Sequence, residues 1–309
     1  MSKTIATPGA DGKHVTFCRI CEALCGMVAT VKDGKVVKLE PDRDNPHSQG
    51  HVCVKGIAMA EVNNDPDRVT TPLRRTGAPG EFEPVSWNEA LDDIARRLES
   101  IMEKHGRDAF ATMYGNPPSF GMASFMAPAM FRNALEAHKT FSPNTEDTAS
   151  VLLAHSMLYG TTSYIFPDLP ECDHLFIFGS NPLVSHGSLI IAPRMKDDLA
   201  AIHDRGNVIV FDPRRTETAQ RFEHQPLLPD SDVFVLAAMI NTIVDEGLAD
   251  EETLSVLCTG WDEMREKLRP ITTGRAAERS GIAAERIREL AIDFARAERA
   301  GAMGRLGLC

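Results

Sequence analysis

The sequence predicts an α/β protein: a small β-rich, cysteine-rich N-terminal module, then αβα domains built on mostly parallel sheets. Three observations carry that prediction. Four cysteines gather around a strand–turn–strand pattern, a capped amphipathic helix opens the next region, and two short apolar runs flank a helix in the second half. With 309 residues, 43% of them apolar, there is material for a substantial core and about two domains.

Residues 1–13 are polar and glycine-containing and read as a loose leader. From His14 to about Val69 the pattern is cysteine-rich and strand-rich. Met27–Val31 and Lys35–Leu39 flank Lys32-Asp33-Gly34, and Asp-Gly between such runs marks a hairpin turn. Cys18, Cys21 and Cys25 precede this hairpin and Cys53 follows it, giving C-x2-C-x3-C-x27-C. Four thiolates in a three-plus-one layout suit a cubane iron–sulfur cluster. Structural zinc sites more often draw cysteines in two close pairs, and disulfides belong to oxidising compartments. Met1–Pro8 carries neither an apolar stretch nor twin arginines, so a reducing, cytoplasmic setting is expected. Cluster, zinc site and plain buried cysteines remain the readings at this point. Cys172, Cys258 and Cys309 are scattered and are expected to be small core residues.

A Pro/Gly/Arg-rich connector runs from Thr71 to Pro84. Ser86 with Glu89 three residues on forms a capping box. Ala90, Leu91, Ile94, Leu98, Ile101 and Met102 recur at helical spacing, and Gly106 closes the helix. Residues 107–160 alternate strand, loop and helix patterns. His174–Phe178 is an apolar run of the kind buried on both faces of a parallel sheet. A helix over Met195–Asp204 and a second run, Asn207–Phe211, complete a βαβ unit. Further helices are expected near 232–246 and 283–300, and Gly304–Cys309 reads as a strand entering a glycine-rich loop.

Ligands of open parallel sheets bind just past the carboxyl ends of the strands. Gly179-Ser180-Asn181-Pro182 and Asp212-Pro213-Arg214-Arg215-Thr216 occupy such positions. Guanidinium forks suit phosphate oxygens, and an Asp accepts hydrogen bonds from a purine or ribose, so the pair suits a nucleotide with a pyrophosphate. Neither G-x-G-x-x-G nor a P-loop is present, which argues against a simple NAD or ATP ligand. The net charge of −11 argues against nucleic acid as a partner. No run reaches the ~18 apolar residues of a membrane helix.

Taken in order, the cysteine set, the Cys53-Val54-Lys55-Gly56 step and the two strand-end loops resemble the molybdopterin oxidoreductase family, from Phe17 to about Leu308. The resemblance implies an oxidoreductase with a [4Fe-4S] cluster on Cys18, Cys21, Cys25 and Cys53. It also implies a molybdenum or tungsten bis-molybdopterin guanine dinucleotide cofactor. Lys55 would relay electrons between cluster and pterin. Gly179, Ser180, Asn181 and Pro182 would contact one dinucleotide, with Asp212, Arg214, Arg215 and Thr216 at the second strand end. The family's P-G-T-D step is Pro229-Asp230-Ser231-Asp232 here, so Asp232 falls at the guanine site. A small-molecule substrate and a redox partner protein are implied as well. The expected domains are 14–70 for the cluster, 71–155 for the first part of a split αβα domain, and 156–309 for dinucleotide binding.

Two departures from the family pattern stand out. The slot near Leu153, where some members place a cysteine or selenocysteine on the metal, holds none, leaving Asp147, Ser150 and His155 as nearby polar groups. The C-terminal β-barrel of longer members also has no counterpart, so the sequence corresponds to an N-terminal portion. Two other readings are kept: a non-catalytic iron–sulfur scaffold subunit related to the large subunit of NADH dehydrogenase, and a zinc-stabilised binding module.

Overall fold

A two-residue turn organises the N-terminal end. Asp33 and Gly34 both take positive φ angles, 52° and 71°, as the tight hairpin turn requires. They join β2 (Gly26–Lys32) to β3 (Lys35–Pro41), with Lys32 opposite Lys35. β1 (Gly12–Phe17) pairs antiparallel with β2, and Asp11 accepts the Asp33 N–H at 2.9 Å. Gly12 and Lys13 therefore belong to a strand, not to a loose leader. The computed structural model describes residues 7, 9–187 and 192–308. It divides into two units, one ending at Thr145 and the other starting at Glu146.

The first unit continues with α1 (Val54–Asn63), then a small antiparallel ribbon of β4 (Leu73–Arg75) and β5 (Phe82–Pro84). α2 (Trp87–His105) begins with the expected capping box: Ser86 N–H donates to Glu89 Oε2 at 2.9 Å, and Glu89 N–H to Ser86 Oγ at 3.3 Å. Gly106 ends it at φ 81°. β6 (Ala111–Met113), α3 (Met122–Ala134) and β7 (Lys139–Phe141) follow, with β6 and β7 parallel. The apolar stripe of α2 forms but stays open: Leu91, Ile94 and Ile101 are exposed. With Phe131 and Leu135, the α2 stripe lines a groove of about 710 Å3.

A short helix, α4 (Asn144–Asp147), leads into the second unit and α5 (Ala149–Tyr159). There β8 (His174–Phe178), α6 (Pro182–Ser185), α7 (Met195–Arg205), β9 (Asn207–Phe211) and β10 (Glu223–Gln225) precede a run of helices. These are α8 (Asp232–Asp245), α9 (Glu251–Leu257), α10 (Trp261–Leu268), α11 (Thr273–Ser280) and α12 (Ala284–Arg296), and β11 (Ala300–Gly304) closes the order. The sheet runs β10-β9-β8-β11, with every pairing parallel. Successive strand residues face opposite sides. Leu175, Ile177, Val208 and Val210 pack on Met195, Leu199 and Ile202 of α7. Phe176, Phe178, Ile209 and Phe211 pack on α8, α11 and α12. Both faces are covered, which explains why the strands read as continuous apolar runs.

Three expectations are corrected. The last helix ends at Arg296 rather than 300, because Asp173 N–H donates to the Arg299 carbonyl at 3.1 Å and its carboxylate accepts the Arg299 N–H at 3.2 Å. Those bonds commit the chain to strand pairing from Ala300, so the final strand ends at Gly304 rather than beginning there. Cys172 is buried as expected, but Cys258 is exposed beyond α9. Cys309 lies outside the described residues.

His174 gives this unit a pH dependence. Its ring is buried edge-on between Phe176 and Phe294, and Nε2 has no hydrogen-bond partner. Burial pulls its pKa below the ordinary 6.5, against the opposing pull of Asp293, Asp173 and Glu223. Below pH 6.5 the unfolded chain takes up a proton that the folded chain refuses, so stability falls as pH drops. Urea unfolding of the wild type is expected to weaken from pH 7 to 5.5, and His174→Phe to flatten that slope. An unchanged slope in the variant removes His174 as the cause.

Candidate cluster and cofactor site

The loop carrying three of the cysteines is closed by Cys18 N–H donating to the Cys25 carbonyl at 2.9 Å. Its floor is residues 42–53. Asn45 Oδ1 accepts the N–H groups of His47 (3.1 Å) and Ser48 (2.8 Å). Ser48 Oγ accepts from Gly26 N–H at 3.0 Å, and the His47 ring reaches the Ala23 carbonyl at 3.0 Å. A side chain at Gly26 would collide with Asn45, so glycine is needed there. The same floor ends at Cys53, the N-cap of α1. That position sets the fourth thiol beside the positive end of a helix.

Cys18 and Cys25 each lie within electrostatic range of the other three thiols. Burial pushes the Cys25 thiol up to about 11, helped by repulsion from Cys21, Cys18 and Cys53. Cys18 is raised by burial as well, opposed by a backbone hydrogen bond and by Lys55. Gly56 is buried, and a Cβ there would meet Cys18 Sγ at 3.4 Å and Met27 Sδ at 3.6 Å. α1 therefore lies flush against the first cysteine, with Lys55 exposed on its opening turn. The donor set is sulfur alone, which suits iron–sulfur or zinc. Loading it must displace the protons that burial holds on.

In the second unit both predicted loops leave the same edge of the sheet, and Asn181 ties them together. Its Oδ1 accepts from Thr218 Oγ at 2.8 Å and Thr218 N–H at 3.2 Å, while Nδ2 donates to Glu217 Oε2 at 2.6 Å. Pro182 opens α6, and buried Thr216 accepts the Ala219 N–H at 3.1 Å. These three side chains hold the loops in shape. Ser180 is buried, and Gly179 packs backbone to backbone on Gly307. Arg214 and Arg215 are exposed. Asp212 Oδ1 accepts the Arg214 N–H at 2.8 Å. Asp232 begins α8 with its pKa raised by burial and by the nearby charges of Asp230 and Asp212. The edge thus offers guanidinium donors and three grouped carboxylates, a set that suits phosphates and the N–H edge of a purine.

Around the expected metal slot, Leu153 is exposed on α5. Ser150 and His155 line a cavity of about 650 Å3 together with Tyr164, Phe166 and Arg305. His155 Nδ1 lies 2.9 Å from the Ser163 carbonyl, and Asp147 pairs with Arg305 at 3.4 Å.

The molybdopterin oxidoreductase family model matches residues 68–276, and the molybdopterin oxidoreductase Fe4S4 domain matches residues 12–65. The chain belongs to the molybdopterin oxidoreductase family. It is 32% identical over 297 residues to F420-dependent formate dehydrogenase 2 subunit alpha of Methanococcus maripaludis. It is 30% identical over 308 residues to formate dehydrogenase H of Escherichia coli. These alignments cover 95% and 96% of this chain and 42% of either relative. Among solved structures, acetylene hydratase from Pelobacter acetylenicus superposes with a TM-score of 0.78 at 26% identity, covering 95% of this chain and 40% of that one. The chain thus spans well under half the length of these relatives. Family membership implies a [4Fe-4S] cluster and a molybdenum or tungsten bis-molybdopterin cofactor, and it favours the enzyme reading over the scaffold and zinc readings.

Several residues of this family member escaped sequence reasoning. Thr218, fully buried between the loops, lies two residues past Thr216 and carried a readable hydroxyl. Asp230 was visible within Pro229–Asp232. Nothing local marks Gly307 or the Asp147–Arg305 pair, because their partners are distant in sequence.

Proposed function

We propose that the chain is the N-terminal portion of a molybdenum- or tungsten-dependent oxidoreductase that passes electrons between a bis-pterin metal centre and a [4Fe-4S] cluster. The observation that carries this is the all-sulfur pocket of Cys18, Cys21, Cys25 and Cys53, with Lys55 beside it, inside the Fe4S4-matched segment. When bound, the metal centre supplies two-electron chemistry and the cluster supplies one-electron transfer. The protein's part is to bind and orient. The cysteines and the α1 N-terminus hold the cluster, and Lys55 is the cationic relay toward the pterin. Asp212 and Asp232 accept from guanine N–H groups, Arg214 and Arg215 hold phosphates, and Gly179–Pro182 with Thr216 shape the cradle. The domains proposed are 14–70, 71–155 and 156–309. A small-molecule substrate, a redox partner protein and a reducing, cytoplasmic setting complete the reading.

Anaerobic reconstitution tests the first half: about four iron atoms per chain and an EPR signal after dithionite reduction are expected. Guanosine diphosphate is the probe for the second half. Asp232→Asn is expected to weaken its binding about tenfold, the loss of one charge-assisted hydrogen bond. Equal binding by wild type and variant would remove Asp232 from the site.

A further inference from the structure

The two faces of the β1–β2–β3 sheet have different surroundings. Residues paired across antiparallel strands point to the same side. Thr16 pairs with Met27 and Met27 with Pro41; His14 pairs with Ala29 and Ala29 with Leu39. Met27 and Leu39 pack with Cys18 and Cys25, so these rows form the cluster side. The other side carries Lys13 with Thr30 and Lys38, and Val15 with Val28 and Glu40. Past the register shift after Thr30, Lys32 pairs with Lys35, two residues along β2 and so on the side of Thr30. Along the edge strand β1, Val15 is 53% and Phe17 45% exposed on this outer side. Phe17 directly precedes Cys18, and one layer of strands separates the outer side from the cysteines. The three strands carry Lys13, Lys32, Lys35 and Lys38, all exposed, against the one carboxylate of Glu40, in a chain of net charge −11. Lys38 Nζ donates to Glu40 Oε1 at 2.8 Å. Asp11 and Asp33 lie at the hairpin end, where Asp11 accepts from the turn N–H of Asp33.

We propose that this outer face is the docking surface for an acidic one-electron carrier protein, which exchanges electrons with the cluster through the sheet. The proposal rests on the [4Fe-4S] reading. Val15 and Phe17 supply an apolar centre, and the lysines around them steer a partner of opposite charge. Electron-transfer encounters need only a small contact, below about 1,200 Å2 in all, which suits a three-stranded face. A second copy of the chain docked face to face would set lysines against lysines. The step itself breaks no bond: one electron leaves the reduced cluster and enters the iron–sulfur centre of the carrier, and dithionite supplies it in the test.

The probe is a plant-type [2Fe-2S] ferredoxin, an acidic carrier, labelled for fluorescence anisotropy and mixed with the anaerobically reconstituted chain. Binding at low ionic strength that fades as salt is raised is expected. The double variant Lys13→Glu, Lys35→Glu should weaken it about tenfold and flatten the salt dependence. Val15→Ser should weaken it about threefold and leave the salt dependence as it was. Stopped-flow electron exchange between the dithionite-reduced chain and the ferredoxin should slow in the same order. Lys267→Glu, an exposed lysine in the second unit, should change nothing. Iron content and the EPR signal of every variant are compared with wild type, so that lost docking is not mistaken for a lost cluster. Phe17→Ser extends the apolar arm, and if its iron falls, Val15→Ser and the lysine pair decide. A wild type that fails to bind ferredoxin at low salt overturns the proposal, as does equal binding by wild type and the face variants. A dimer that Val15→Ser dissolves while ferredoxin binding is unchanged overturns it too, and gives the face to a second copy. Anisotropy needs no cluster, so the two levels separate: a wild type that takes up no iron sinks the cluster reading and the electron route, while the binding arm still decides the face.

Discussion

Replacing Cys25 with serine is expected to abolish the intact cluster, the largest single effect on the site. Cys25 is buried, and its carbonyl closes the ligand loop by accepting the Cys18 N–H. Serine has nearly the same shape, so the loop and the antiparallel sheet should survive while the soft donor is lost. Iron should fall from about four per chain to three or fewer, with collapse of the broad visible absorption. Two control variants locate the effect. Cys172→Ser and Cys258→Ser lie in the second unit's core and on its surface, and both should retain full iron. A Cys25→Ser protein that keeps all its iron and colour contradicts the ligand assignment. A wild type binding one zinc and no iron would falsify the cluster outright.

How much of this was readable in the sequence varies with the range of the interaction. The hairpin was legible because Asp33-Gly34 satisfies a purely local backbone requirement. So was α2, since Ser86 and Glu89 are three residues apart. β8 and β9 were legible because burial on both faces leaves no polar position to confuse the pattern. α9, α10 and α11 were overlooked, although Asp250 and Thr272 cap two of them with local hydrogen bonds to Thr253 and Arg275. There the signal existed, but the helices are too short for their periodicity to stand out. The end of α12 was misread for a different reason: Asp173, 126 residues earlier, determines it. The site divides in the same way. Its cysteines announce themselves by spacing, whereas Asn181 carries two loops, and Asn116 reaches Glu22, through contacts that no local pattern encodes.

Phe211→Ala is expected to produce the largest loss of stability in the second unit. Phe211 is fully buried at the end of β9. It stacks on Phe178 with centroids 4.2 Å apart and 11° between planes, and it meets Phe176 edge-on at 5.1 Å. Truncation removes both ring contacts and leaves a cavity between the sheet and its helices, costing about 3–5 kcal/mol. That is a large share of the ~5–15 kcal/mol that holds a typical domain folded. Phe211→Leu keeps most of the volume and should cost far less, and Leu228→Ala, at an exposed position, should stay within about 0.5 kcal/mol. Urea unfolding monitored by circular dichroism reads all three. The site should feel the loss too. Gly179 N–H donates to the Phe211 carbonyl at 2.9 Å, and Asp212 is the next residue. One buried ring therefore anchors the point where both candidate cofactor loops leave the sheet, and guanosine diphosphate binding should weaken under conditions where Phe211→Ala is still folded. A cost below about 1 kcal/mol would mean that this core collapses around the gap, and the anchoring role would be withdrawn.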